Sequence, residues 1–348
     1  MLFSIEADHG HILTGYLVPD GFSDEPSIRV ANDGQEVGHF QCSQSRPVIA
    51  EAGRHETGIV GFMLDERVLP GLSTMHMLEI YEAKSGVLIY RRRGEQKCIQ
   101  KKLLRLEFRM LPFIRFDRMF GQHFRYELPA LERFGHETAT QAFQIYGIDS
   151  IYLSGRLYLR NFEMFLDKDF EVIGHLPDPY YEMASRLAIL NRLSQTAMPF
   201  ISDRDRLILA PAAEYFSQVP LEDEKKLKKA LQQAQPKVRD ILVSPTTRQL
   251  VCTSHDQRTS RRDVAPAIDY LSRFSIVGQD GGALDFERLS AEMIGISTEA
   301  LPSYGRHSVL ETLADRLRDM PVAETMLEED LILHHYVREA AKPPASAV

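Results

Sequence analysis

The stretch that decides the fold class is IYLSGRLYLRNFEMFLDKDFEVIGHLPDPYYEMASRLAIL, residues 151–190. Two short runs rich in β-branched and aromatic residues, 151–155 and 170–176, alternate with segments of helical period. The last helical segment follows an Asp-Pro pair that begins at Asp178. Strands that alternate with helices in this way are typical of a mostly parallel sheet covered by helices on both faces. The sequence therefore predicts an α/β domain.

The same pattern extends over residues 97–340. Two further short strands are predicted at 241–243 and 274–278. Helical periodicity predicts nine helices, at 137–146, 160–166, 179–194, 204–217, 221–233, 263–272, 284–294, 308–318 and 321–340. Residues 341–348 carry no apolar face, so we expect a disordered tail.

Residues 1–93 have a different pattern, in which apolar and polar residues alternate without a competing helical period. Turn sequences such as PDG, NDG and KSG separate the runs. Seven strands are predicted, at 2–8, 11–18, 27–31, 35–41, 55–64, 75–83 and 86–92. This spacing predicts an antiparallel β-sandwich. The sequence RRRGEQK at 91–97 separates it from the α/β domain, which begins at residue 97.

Composition narrows the classes of function. The formal net charge of −8 argues against a general nucleic-acid binder, whose affinity depends on a basic face. The amino-terminal residues lack the order of a secretion signal, and no apolar run approaches the roughly 20 residues needed to span a bilayer. The three cysteines form no CxxC pair, so neither a zinc site nor a disulfide framework is indicated. We expect a cytoplasmic protein that does not span a membrane.

Basic residues are concentrated between Arg91 and Arg118, where the sequence has ten basic and three acidic residues. The local balance of +7 has two interpretations. An anionic partner can dock on such a stretch, or the stretch is a solvated junction between the two domains.

The sequence lacks the motifs GxxxxGK[ST], GxGxxG, GxSxG and HExxH. The unit at 151–190 instead resembles the carbohydrate sulfotransferases that use 3′-phosphoadenosine 5′-phosphosulfate (PAPS). In that family a strand ending in Gly-His leads through a short helix to a strand ending in LRDP, and a serine lies further along the next helix. Asp178, Pro179 and Ser185 stand where this pattern places its Asp-Pro pair and its serine. The likeness covers about residues 130–340.

Two positions depart from the family pattern, because Pro177 replaces its arginine and Gly155-Arg156 replaces its Gly-His pair. An arginine and a serine near a helix start would hold the 3′-phosphate through charge-assisted hydrogen bonds and the positive end of the helix. The resemblance implies that the 3′ end of PAPS is held here by Asp178, Ser185 and Arg186.

The family also carries a Lys-Thr-Gly-Gly-Thr-Ser loop, whose amide groups and lysine hold the 5′-phosphosulfate. The resemblance places this loop at residues 132–143. Arg133 then stands for the lysine, Gly135 is retained, and Thr138 lies near the hydroxyl position. The alternative is an ordinary loop in which Gly135 serves as a turn residue.

The resemblance implies transfer of sulfate from PAPS to a carbohydrate hydroxyl, in surface polysaccharide or glycolipid metabolism. His136 is the candidate base, before His123, because an imidazole can take a proton near neutral pH. The alternative is a catalytically inactive protein of the same fold that binds an anionic glycan, or a protein partner through its β-sandwich. A third hypothesis is a loop remodelled for another donor, such as a sugar nucleotide.

Overall fold

The computed structural model describes residues 1–93, 98–145, 147–166, 169–282 and 284–342. The chain forms two compact units. The first comprises residues 1–102, 120–129 and 134–153, and the second comprises residues 103–119, 130–133 and 154–348. Residues 94–97 of the predicted boundary segment 91–97 and residues 343–348 of the predicted tail lie outside the described residues.

The first unit contains two antiparallel four-stranded sheets. Their strands are β1 (Leu2–Asp8), β2 (Ile12–Val18), β3 (Ser27–Asn32), β4 (Gln35–Gln41), β5 (Gln44–Ser45), β6 (Ile59–Asp65), β7 (Leu78–Glu82) and β8 (Leu88–Arg91). The orders are β1-β2-β6-β5 and β4-β3-β7-β8. All seven predicted strands are present, with β5 as an addition. In β2, β3 and β7, buried side chains alternate with more exposed ones, as the sequence pattern predicts.

Turn chemistry sets the register in the second of these sheets. The hairpin between β3 and β4 pairs Asn32 with Gln35, so that Asp33 and Gly34 are the only residues of the turn. Both have positive φ, 50° and 74°. This is the conformation of the two-residue turn whose twist matches that of the flanking strands, and it favours Asp-Gly.

A third sheet has five parallel strands in the order β10-β11-β9-β12-β13. Their bounds are β9 (Lys102–Leu106), β10 (Tyr126–Leu128), β11 (Ile151–Gly155), β12 (Phe170–Leu176) and β13 (Ile276–Gln279). The α/β class is therefore confirmed. The predicted strands at 151–155 and 170–176 match in full, and β13 lies close to its predicted position. The strand predicted at 241–243 is wrong, because these residues form a turn whose apolar side chains pack into a helical core.

Helices precede and follow the strands of the third sheet along the chain. They are α1 (Pro47–Glu51), α2 (Ile114–Gly121), α3 (His136–Phe143), α4 (Glu163–Leu166), α5 (Pro179–Leu193), α6 (Asp203–Phe216), α7 (Glu224–Gln233), α8 (Pro236–Arg239), α9 (Pro245–Val251), α10 (Val264–Ser272), α11 (Phe286–Ile294), α12 (Ser308–Arg318), α13 (Pro321–Met326) and α14 (Glu328–Ala340). The helix predicted at 321–340 is two helices that meet at Leu327. Within the described ranges, no helix has the length and apolar character needed to cross a membrane.

The core of the second unit is largely helical. Buried side chains of α5, α6, α7, α12 and α13 form one apolar cluster that includes Leu187, Phe216 and Leu317. The long helix α5 is central to it, because ten of its fifteen residues are buried. Its first turn is therefore held in a fixed position relative to the cluster.

The basic stretch is not a uniformly solvated junction. Three of its arginines, Arg91, Arg105 and Arg109, are at most 5% exposed. Each is neutralised inside the protein, since a buried charge without a partner is costly. Their carboxylate partners are Glu79 and Glu127 for Arg91, Glu107 and Asp117 for Arg105, and Asp280 for Arg109. The +7 balance therefore overstates the charge available to a docking partner.

Candidate functional site

The carboxyl edge of the parallel sheet is the place where the fold itself favours a site. Strand β9 is central in this sheet. From β9 the chain continues to β10, on one side of β9, and it later enters β12, on the other side of β9. In open α/β sheets, ligands bind outside the carboxyl ends of the strands where the strand order reverses in this way. Polar residues stand at the ends of these strands in the second unit: Glu107 after β9, His175 in β12, Asp178 after β12 and Asp280 after β13.

In the loop after β9, backbone N–H groups donate hydrogen bonds to a carboxylate of the same chain. Glu107 accepts hydrogen bonds from the backbone N–H groups of Arg109 at 3.0 Å and of Phe113 at 2.9 Å. Arg105 donates to the same carboxylate at 3.0 Å. Backbone N–H groups that converge on one anion are also used to hold phosphate in nucleotide-binding proteins. Here the two N–H groups, four residues apart, converge on Glu107, which is 1% exposed.

A second carboxylate, that of Glu182 in α5, accepts a hydrogen bond from another backbone N–H group of this loop. It accepts from the backbone of Met110 at 2.9 Å and from Arg186 Nε at 2.7 Å. Burial raises the pKa of Glu182, and the charges of Arg186 and Arg109 oppose that rise. The loop after the central strand is therefore tied to α5 by groups inside the protein.

Arg109 and Asp280 form the centre of a buried polar cluster at the same edge. Arg109 Nη2 donates to Asp280 Oδ1 at 2.5 Å and lies 3.3 Å from His175 Nδ1. The guanidinium also lies 4.2 Å from the ring centroid of Tyr304, on which the His175 ring stacks at 4.6 Å. Burial alone would lower the pKa of Arg109, but the neighbouring acidic groups, Asp280 foremost, raise it above its ordinary value.

His175 is held neutral at physiological pH. Burial, followed by repulsion from Arg109, lowers its pKa from 6.5 to about 4, although Asp280 acts in the opposite direction. A neutral imidazole can accept a hydrogen bond from Arg109 at Nδ1. In this setting His175 positions the guanidinium and is a weak proton acceptor.

The three residues predicted to hold the 3′-phosphate lie together on α5. Asp178 is the N-cap, accepts from Tyr181 N at 2.9 Å, and pairs with Arg318 at 2.9 Å. Ser185 is 1% exposed, and its hydroxyl donates to the carbonyl of Tyr181 at 2.9 Å. Arg186 pairs with Glu182. Their roles toward a cofactor stay predictions, and the burial of Ser185 argues against its part in them.

The residues predicted for the 5′ end are divided between the two units. Arg133 is exposed in the second unit and ends a short 3-10 helix. The other two, Gly135 and Thr138, belong to the first unit together with the candidate base His136, at the start of α3, and this segment follows β10 rather than β9. Gly135 precedes the helix with an ordinary φ of −62°, so its conformation does not require glycine.

Within the first unit, the side chains at the start of α3 differ in exposure. His136 is exposed at the first helical position. Thr138 is buried, and its hydroxyl oxygen accepts from the amino group of Met1 at 3.0 Å and lies 3.4 Å from Asp20. Thr138 is thus engaged by its own unit, and the proposed base role of His136 stays a prediction.

Sequence reasoning missed the residues that the structure places at the sheet edge, chiefly Glu107, Arg109 and Asp280. The available signal was a charged residue directly after an apolar strand, in LLRLE and in IVGQD. No group of three or more His, Cys, Asp or Glu side chains suited to a metal ion occurs in the described parts of the chain. Searches against family models, curated proteins and solved structures found no match to the chain.

Proposed function

We propose that this chain is a sulfotransferase-like protein that binds an anionic partner and does not transfer sulfate. The likeness of residues 130–340 to the carbohydrate sulfotransferases and the parallel sheet support the general relationship. The observation that carries the proposal is the position of Glu107, whose carboxylate accepts hydrogen bonds from two backbone N–H groups of the loop after β9. A nucleotide phosphate directed to that loop would meet a buried negative charge.

Two further features agree with a protein that has lost the transfer reaction. Pro177 provides no guanidinium at the position where the family carries its phosphate-binding arginine. Ser185, the partner of that arginine in the family pattern, donates its hydroxyl hydrogen to its own helix. Loss of both contacts removes the charge-assisted hydrogen bonds that would hold a 3′-phosphate.

The transfer reaction is the second candidate, and one observation favours it. At the same sheet edge, Arg109 Nε and Gln279 Oε1 are buried without a hydrogen-bond partner among the described residues. Buried polar atoms in native proteins are nearly always satisfied, by protein, water or ligand. A ligand that enters this edge would satisfy them, with PAPS as the donor and a carbohydrate hydroxyl as the acceptor in the enzymatic case.

Calorimetric titration with 3′-phosphoadenosine 5′-phosphate separates the two candidates. The proposal predicts no heat of binding for the natural chain at millimolar ligand. Replacing Glu107 by alanine should create measurable affinity, because the loop N–H groups lose their anion while Arg105 keeps its two bonds to Asp117. Micromolar affinity of the natural chain, about −8 kcal/mol, would instead support the enzyme.

The control for the titration is Ser185→Ala, which removes a hydroxyl that the proposal assigns to the helix alone. Its titration should match that of the natural chain. If the natural chain binds the nucleotide and Ser185→Ala weakens that binding, the serine holds the 3′-phosphate and the proposal is wrong.

A further inference from the structure

A cavity of about 380 Å³ opens at the amino end of α6 in the second unit. Its wall includes Arg133, Met198, Ile201, Ser202, Asp203 and Arg206. Sites for small ligands are concave and usually occupy about 300 to 1,000 Å³, with an apolar lining and a few polar groups that fix orientation. The volume of this cavity falls within that range, and its lining is more polar than that of a typical site.

The charges of the cavity favour an anion. Arg133 and Arg206 both line it, and neither forms an ion pair with any residue that the structure describes. Asp205, a carboxylate in the first turn of α6, is already paired with Arg156 at 2.7 Å. Two guanidinium groups therefore face the cavity against the single carboxylate of Asp203. Guanidinium groups bind carboxylate, sulfate and phosphate oxygens through paired charge-assisted hydrogen bonds.

The remaining lining favours a sugar ring over a simple ion. The half-buried Met198 and the exposed Pro199 offer apolar contact for the carbon face of a ring. Ser202 accepts from the backbone of Asp205 at 3.0 Å, which leaves its hydroxyl hydrogen available for donation. Asp203 offers acceptor oxygens for hydroxyl groups. An acidic peptide has no ring hydroxyls to donate to Asp203.

We propose that this cavity binds one acidic sugar unit of an anionic glycan. The carboxylate or sulfate of the sugar lies between Arg133 and Arg206, its hydroxyl groups contact Ser202 and Asp203, and its apolar face lies on Met198 and Pro199. This inference rests on the proposed function, because it names the class and the location of the anionic partner.

Calorimetry of the full chain tests the site with a trisaccharide of galacturonic acid, with a sulfated disaccharide, and with the matching neutral sugars. We expect binding of an acidic saccharide and none of its neutral counterpart. Arg133→Ala and Arg206→Ala should each weaken binding by roughly tenfold or more, as expected for loss of a hydrogen bond to a charged group. The matched control is Arg204→Ala, which removes the same charge from the same helix outside the cavity. It should change affinity by less than about twofold, since exposed charges are largely screened.

Four results would overturn the inference: no binding of any saccharide, equal loss of affinity in Arg204→Ala, equal binding of neutral and acidic sugars, or binding of an oligoglutamate peptide in place of any saccharide. Thermal unfolding of each variant verifies that it is folded. Failure of this site is distinguishable from failure of the proposed function. Nucleotide binding by the natural chain contradicts the non-catalytic proposal whatever the saccharide does, whereas absence of saccharide binding contradicts only the cavity.

Discussion

Replacing Asp280 by alanine should destabilise the second unit strongly. The substitution leaves the guanidinium of Arg109, at 4% exposure, without its carboxylate partner. It also removes the acceptor for the backbone N–H of Asp178, which lies 3.1 Å from Asp280 Oδ2. Breaking a buried ion pair by removing one partner costs about 3 to 5 kcal/mol, and we expect a loss of free energy of unfolding in that range.

Urea unfolding followed by hydrogen exchange and mass spectrometry measures this loss and assigns it to a unit. Exchange should rise in peptides from β12, α5 and β13, while peptides from β1 to β8 should keep their protection. Assignment by peptide is needed because a chain with two compact units need not unfold in a single transition.

The double variant Arg109→Met with Asp280→Ala distinguishes an unpaired charge from a general packing defect. Apolar replacement of both partners removes the uncompensated charge, so the double variant should be more stable than Asp280→Ala alone. The reasoning is refuted if Asp280→Ala costs less than about 1 kcal/mol, or if the two substitutions destabilise additively.

Three further predictions concern the same edge of the sheet. Asp178→Ala should lower the free energy of unfolding by about 0.5 to 2 kcal/mol, because α5 loses its N-cap. Asp178→Asn keeps a good cap and should lower it less. Equal losses in urea unfolding would show that the ion pair with Arg318 matters more than the cap. Ser185→Ala should change stability by less than about 1 kcal/mol, since the Tyr181 carbonyl is an ordinary helix acceptor; a larger loss in thermal unfolding would contradict this local role. Because the pKa of His175 is lowered from 6.5 to about 4, the unfolded chain binds the proton more readily between these pH values. Stability should therefore fall as pH falls through this window, by up to about 1.4 kcal/mol per pH unit for this group, and His175→Asn should lack the contribution. An NMR titration of the ring with a midpoint near 6.5 would rule this out.

The strands that sequence patterns predicted best are those bounded by clear turn signals. The runs at 151–155 and 170–176 are continuous and buried, and the alternating strands of the first unit are separated by Gly-containing turns. Strand β9 was not predicted, because its sequence KLLRL carries Arg105 and a charged residue usually indicates an exposed position. Only the fold brings Asp117 and Glu107 around that guanidinium, so burial of the arginine could not be read from the local pattern.

The site was harder to predict than the fold for a related reason. Helix α5 and its cap at Asp178 follow from the Asp-Pro pair, and the structure has both. The resemblance predicts a phosphate-binding loop at 132–143, around Gly135, whereas the loop after β9 has no glycine. The strand order that makes β9 central depends on pairings distant in sequence, which periodicity does not reveal.

The carboxylate of Glu107 has a consequence for how nucleotide affinity could be gained by mutation. A group tethered within the same loop competes with any dissolved anion at a high effective concentration, however favourable the other contacts of the ligand are. Replacing Pro177 by arginine would therefore yield little nucleotide affinity while Glu107 is present. The order of substitutions matters, and the first productive one is at residue 107.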